Sequence, residues 1–157
     1  SIGDLVVGAT VVDGQGEVRE WSASQFAYRY RHSSLNGTRL VVVSAQLQLE
    51  AAGQHEISAK MERLRQKRAS RQPLWARSAG SVFKNPAGVA AGKVLDRAGA
   101  NGLRVGDAQV SRRHANFLIN LGQATAADMR ELIERAHGLA LRRYDIDLEL
   151  EIELVGE

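Results

Sequence analysis

The sequence contains no cysteine, so neither disulfides nor thiolate-bound metals can contribute, which fits a reducing compartment. No apolar run approaches the roughly 20 residues of a membrane span, and the first residues lack the charged-then-apolar pattern of a secretion signal. A soluble, cytoplasmic chain is therefore expected, with no membrane partner. A phosphate-cradling Gly-x-Gly-x-x-Gly turn and a Walker loop are both missing. Internal repeats and low-complexity tracts are missing as well. His32, His55, His114 and His137 show no ligand spacing, so no metal site is expected.

What remains is 157 residues of 44% hydrophobic composition, enough to bury a core as one domain or two small ones. The net charge of +3 favours anionic partners only mildly. Basic residues gather between Lys60 and Arg77, where Arg63, Arg65, Lys67, Arg68, Arg71 and Arg77 meet a single acid, Glu62. A solvated helix face accounts for this run. Nucleic acid is not an expected partner, because Trp75 is the only stacking residue nearby and no RNA or DNA module is recognisable.

Residues 5–12 are apolar and β-branched, Asp13-Gly14-Gln15-Gly16 supplies a turn, and residues 17–21 return, which predicts a hairpin. Ser22-Ala23-Ser24-Gln25 fits a capping box and predicts a short helix. Residues 39–50 begin as a continuous apolar run and then alternate, which predicts a long strand buried at one end and half-exposed at the other. A basic helix is predicted over 56–70, ended by Pro73, with a domain junction between Gly53 and Pro73. A second helix is predicted over 88–98, stopped by Gly99. Strands are predicted over 103–110 and 115–120. Thr125-Ala126-Ala127-Asp128 opens a long helix carrying Arg142 and Arg143 in its last turn, the sign suited to the helix dipole. In residues 146–154 apolar residues alternate with Asp147, Glu149, Glu151 and Glu153, which predicts a strand with one acidic face.

The most informative stretch is Gly80-Ser81-Val82-Phe83-Lys84-Asn85-Pro86. It groups a hydroxyl, an ammonium and a carboxamide between a glycine that permits an unusual backbone angle and a proline that delays the next helix. Gly-Ser and Asn-Pro also mark ordinary turns. Read with Tyr30-Arg31-His32-Ser33, Arg71-Gln72-Pro73, residues 101–106, residues 110–117 and the tail 148–156, the stretch resembles one family. That family is the bacterial UDP-N-acetylenolpyruvoylglucosamine reductases, the MurB flavoenzymes of peptidoglycan precursor synthesis. The matching blocks occur in order from about Tyr30 onward.

The resemblance implies an α+β fold: the end of a flavin-domain β structure over residues 1–53, then over 54–157 a small α/β substrate-binding domain with a mixed or antiparallel sheet. It implies a reaction in which NADPH reduces FAD and the flavin passes a hydride to the enolpyruvyl group of a UDP-sugar. The catalytic residues it implies are Ser81 as proton donor, Arg31 on the substrate carboxylate and Glu151 beside the enolic oxygen. Tyr30, Arg71, Lys84, Asn85 and His114 resemble substrate-binding positions, with Lys84 and Asn85 supporting the alkoxide that Ser81 would leave. Arg29 falls outside the matching block.

Ordinary structural roles stay open for each of these residues. Ser81 can hydrogen-bond its own turn, Arg31 can stack on Tyr28 or Tyr30, His114 can be structural, and Glu151 can belong to a solvated face. Two departures bear on Glu151: Leu150 stands where the family has proline, and Glu153 where it has arginine. The interval between Arg31 and Ser81 fits the shorter family subtype. Because Ser1 is not methionine and residue 5 already reads as strand, the chain is expected to be the carboxy-terminal part of a longer enzyme. Its missing amino-terminal portion would bind the flavin. A binding module that retains UDP-sugar affinity without catalysis is the alternative.

Overall fold

A computed structural model describes residues 1–156. The chain divides into two compact units, Ser1–Glu56 and Ile57–Glu157.

The first unit is a three-stranded antiparallel sheet in the order β2-β1-β3, formed by β1 (Val6–Val12), β2 (Val18–Ser22) and β3 (Val41–Leu47). The hairpin forms because Asp13 closes its turn. One carboxylate oxygen accepts from the N–H groups of Gln15 and Glu17, the other from Arg19, and Gly16 takes a φ of +86°. Val12 pairs with Val18 and Gly8 with Ser22. Ser22 and Gln25 form the expected capping box of a short 3₁₀ turn, Ala23–Phe26. That turn drops Phe26 into a buried position between the rings of Trp21 at 5.3 Å and Tyr28 at 5.4 Å. β3 differs from expectation, since every one of its residues is exposed. It is an edge strand, and only the central strand β1 has residues, Ala9 and Val11, covered by neighbours.

The second unit follows along α1 (Gln54–Arg71), all of whose side chains are exposed. Its fold is a small antiparallel sheet, β4 (Arg104–Val105), β5 (Ala108–Val110) and β6 (Leu118–Asn120), packed against α2 (Ala91–Arg97) and α3 (Ala126–Tyr144). The core consists of Leu95 from α2, Val110 from β5, Leu118 from β6, Leu132 and Ala136 from α3, and Phe83 and Leu148 from extended segments. α3 begins where its sequence predicts: the Thr125 hydroxyl accepts from Asp128 N–H, and the Asp128 carboxylate accepts from Thr125 N–H. The mixed α+β class holds, with both sheets antiparallel. Among the described residues no helix is long and apolar enough to cross a membrane.

Three predicted elements are broken by local geometry. The strand predicted over 103–110 folds on itself at Gly106, φ +52°, and becomes β4 and β5. Asp107 fixes that turn. Its carboxylate accepts from Gln123 N–H and from Arg104, and these bonds hold its pKa below the ordinary value. The strand predicted over 115–120 shortens to β6, because a turn from His114 to Phe117 precedes it. The terminal strand predicted over 146–154 is an extended segment with one bridge, Leu150 to Phe83.

Candidate functional site

The segment from Gly80 to Lys84 lies outside the regular sheet, and its backbone is held from two sides. Gly80 has a φ of +93° with open space where a Cβ would stand, so conformation alone requires glycine there. On one edge Ser81 bridges Phe117, and Val82 N–H donates to the Asn116 carbonyl at 2.9 Å. On the other, Lys84 N–H donates to the Glu149 carbonyl and Glu151 N–H donates to the Val82 carbonyl, both at 2.8 Å. Neither bond involves an N–H at position 150, so leucine in place of the family's proline leaves this bridge unchanged.

Asn116 lies in the block 110–117, where its sequence pattern assigned it no role of its own. Its side chain is buried; Oδ1 accepts from Phe83 N–H at 2.9 Å and Nδ2 donates to the Phe83 carbonyl at 2.8 Å. Each of those backbone groups left bare would cost about 1–3 kcal/mol. An asparagine at the end of His114-Ala115-Asn116, just before an apolar strand, offered no local sign of this, because its partner is 33 residues away.

Two cavities meet at Ser81, which is half-buried and lines both. The first, about 770 Å³, adds Arg68, Gln72, Phe117, Glu151 and Glu153. The second, about 490 Å³, is lined by four cations, Arg71, Lys93, Arg112 and Arg113, against one acid, Asp96, together with Asn85 and His114. An anion suits the second cavity and a hydroxyl-rich or weakly basic group the first. Among the described residues the Ser81 hydroxyl is committed to no hydrogen bond, so a turn-capping role does not account for it. Arg113 is anchored by donating to the Ala69 carbonyl at 2.9 Å, which ties the last turn of α1 to this wall.

The other expected residues take varied positions. Asn85 lines the second cavity, and its Oδ1 accepts from Ala91 N–H at 3.0 Å, capping α2. Lys84 lines neither cavity and forms an ion pair with Glu149. The acidic face of the terminal segment is therefore partly neutralised rather than three bare carboxylates in a row. Arg71 and His114 share the second cavity with Ser81, and Glu151 shares the first. Tyr30 and Arg31 belong to the other unit. They occupy the corners of a tight turn closed by reciprocal bonds between Arg29 and His32, and the Arg31 guanidinium lies 5.5 Å from the Tyr30 ring centroid. Arg31 has a φ of +54°. Such a conformation costs a non-glycine residue about 1–3 kcal/mol, and the ring contact, at about 0.5–1 kcal/mol, is one of the interactions that Arg31 makes.

His114 faces α2 so closely that a Cβ on Gly92 would come within 2.9 Å of its ring. Burial lowers its pKa, and its Nδ1 accepts from Asn116 N–H at 3.3 Å. The neutral ring therefore carries its proton on Nε2, a donor for a ligand in the second cavity. The opening of α2 is capped by Asn85, and that of α3 by Thr125 and the acidic Asp128, so neither helix start presents free N–H groups to a phosphate.

On this small antiparallel α+β unit, a half-buried serine stands between a cavity lined by cations and a carboxylate. Residues 72–155 match the family described as "UDP-N-acetylenolpyruvoylglucosamine reductase, C-terminal domain", and the chain belongs to that family. Similar proteins include the UDP-N-acetylenolpyruvoylglucosamine reductases of Moorella thermoacetica, 48% identical over 99% of this chain and 51% of the relative, and of Pediococcus pentosaceus, 39% identical over 99% and 52%. The crystal structure of the Thermus caldophilus reductase, MurB, superposes with a TM-score of 0.83 at 36% identity, covering 96% of this chain and 53% of that one. The chain spans about half the length of the curated relatives it matches.

Two outcomes follow from this geometry. Since the folded pKa of His114 lies below the unfolded value of 6.5, the unfolded chain takes up the proton first. The stability due to neutral His114 is complete above that value and is lost as pH falls below it. Urea unfolding at pH 7.5 and 5.5 should show this loss, reduced in His114→Gln. Arg31→Gly gives up the arginine's contacts and relieves the backbone strain, whereas Arg31→Ala gives up the same contacts with the strain kept. The glycine variant is therefore expected to be the more stable of the two by about 1 kcal/mol, read as a higher melting temperature; equal melting temperatures would mean that the left-handed backbone at position 31 stores no strain.

Proposed function

We propose that this chain is the substrate-binding and proton-donating part of a reductase that converts the enolpyruvyl group of UDP-N-acetylglucosamine enolpyruvate to the lactyl group of UDP-N-acetylmuramate, in cytoplasmic peptidoglycan precursor synthesis. The observation that carries the reading is Ser81, a hydroxyl without a hydrogen-bond partner among the described residues, at the meeting point of a cationic cavity and one lined by Glu151. Membership of the reductase family supplies the chemical context.

In this reading the hydride comes from FAD reduced by NADPH. Residues 1–53 are then the remainder of the FAD-binding domain and 54–157 the substrate-binding domain. The open apolar strand Val41–Leu47 supports the first assignment, since such a surface is normally covered. In the same reading the flavin is held mainly by an amino-terminal portion of the complete enzyme.

This chain's own work begins with binding. Arg71 and its neighbouring cations take the diphosphate, His114 donates from Nε2, and Asn85 and Tyr30 complete the contacts, while Lys84 stays paired with Glu149. Arg31 binds the substrate carboxylate through its fixed two-donor fork and stabilises the charge that spreads into it. Glu151 stands beside the enolic oxygen. Ser81 then gives its proton to the carbon bearing the carboxylate, and the alkoxide left behind is stabilised by the nearby Asn85 amide before it recovers a proton from water.

The test is a fusion of the first half of the Moorella thermoacetica relative to this chain. Ser81→Ala should leave the reduction of flavin by NADPH unchanged and slow reduction of the UDP-sugar by orders of magnitude. Equal losses in both half-reactions would point to damaged folding and sink the assignment of Ser81. Titration of the unfused chain with the UDP-sugar separates a further outcome: binding without turnover in the unsubstituted fusion would favour a non-catalytic module.

A further inference from the structure

We propose that Asn116 is the positioning residue for Ser81 and Glu151, an inference that rests on the functional reading above. Its side chain is only 3% exposed, and burial of an amide is costly unless every polar atom is matched. Here the matching is directed at one residue. Oδ1 and Nδ2 take the N–H and the carbonyl of Phe83, so the side chain stands where a neighbouring β-strand would. The main chain of Asn116 adds a bond from Val82 N–H to its carbonyl and one from its own N–H to His114 Nδ1.

The consequence lies in what the Val82–Phe83 backbone carries. Ser81 precedes it directly. Glu151 is fastened to it by the bond from its N–H to the Val82 carbonyl. Ser81 and Glu151, which both line the first cavity, are therefore set by the orientation of a backbone stretch that Asn116 locks from the opposite edge. The same residue orients His114 in the second cavity. Packing alone cannot replace this, because Phe83 is anchored in the core by its ring and could keep that anchor while its peptide groups turned. Asn116 lines the second cavity, but both polar atoms of its side chain are committed to Phe83. It acts through Phe83.

In the fusion enzyme, Asn116→Ala is expected to lower kcat for UDP-sugar reduction by about 10- to 100-fold, the scale of a misplacement near 1 Å. KM for the UDP-sugar should change by less than about threefold, and flavin reduction by NADPH should be unchanged. Val94→Ala, a cavity in α2 away from both bonds, serves as the control for lost stability and should keep kcat within about twofold. Hydrogen exchange at the Val82 and Phe83 amides should quicken in Asn116→Ala and not in Val94→Ala. Should Asn116→Ala fail to fold, Asn116→Gln keeps the amide but lengthens the side chain by one methylene, which displaces both bonds to Phe83, and the same readouts apply. A kcat retained in the Asn116 variants, or lost equally in Val94→Ala, overturns the inference while leaving the functional reading standing. An unsubstituted fusion without turnover overturns the reading first and the inference with it.

Discussion

Backbone hydrogen bonding to residues 82–84 is the constraint on which the rest of the second unit depends. These residues belong to no regular strand, yet Val82 and Phe83 are buried, so each of their peptide groups must find a partner. Asn116 supplies one edge and the segment around Leu150 the other. With both edges occupied, the ring of Phe83 enters the core beside α3, and the chain on either side is delivered to the surface at fixed positions. Ser81 emerges where two cavities meet, and Asn85 emerges where it can cap α2.

Electrostatics then divides the surface around that serine. The second cavity gathers four cations from α1, α2 and the turn before His114, and its histidine is kept neutral by burial. A neutral donor among fixed cations binds an anion without adding a charge that varies near neutral pH. The first cavity carries carboxylates from the terminal segment, while the neighbouring Glu149 is taken up by Lys84. In the proposed reaction, one side holds the diphosphate and the other faces the carbon that must be protonated. The hydroxyl between them is the group that both binding modes share.

The first unit shows a different economy. Its hydrophobic packing centres on Ala9, Val11 and Phe26, while β3 leaves valines in the open. Arg31 is held in a backbone conformation that most residues avoid, closed by the bonds between Arg29 and His32. Strain of this kind persists where surrounding bonds over-determine it, and it is common where a side chain must be presented in a particular direction. The chain covers about half of each of these curated relatives.

The sequence alone determined the features whose causes lie within a few residues. The Asp13 turn, the Ser22 and Thr125 caps, the glycine stop after α2 and the apolar stripe of α3 all follow from side chains bonding or packing near their own position. It also carried the ordered motifs by which the family was legible, and the need for glycine at position 80. Tertiary structure decided the remainder. The pairing of Phe83 with Asn116 and with Leu150, the neutralisation of Glu149 and the exposure of β3 depend on partners far along the chain or on the sheet's outer edge. The run 103–110 reads as one strand because alternation does not record Gly106 turning the chain back, and the acidic tail reads as a strand because alternation does not require a neighbour. A pattern of side chains states which face an element would bury, whereas the backbone partner that satisfies its hydrogen bonds is chosen only when distant segments meet.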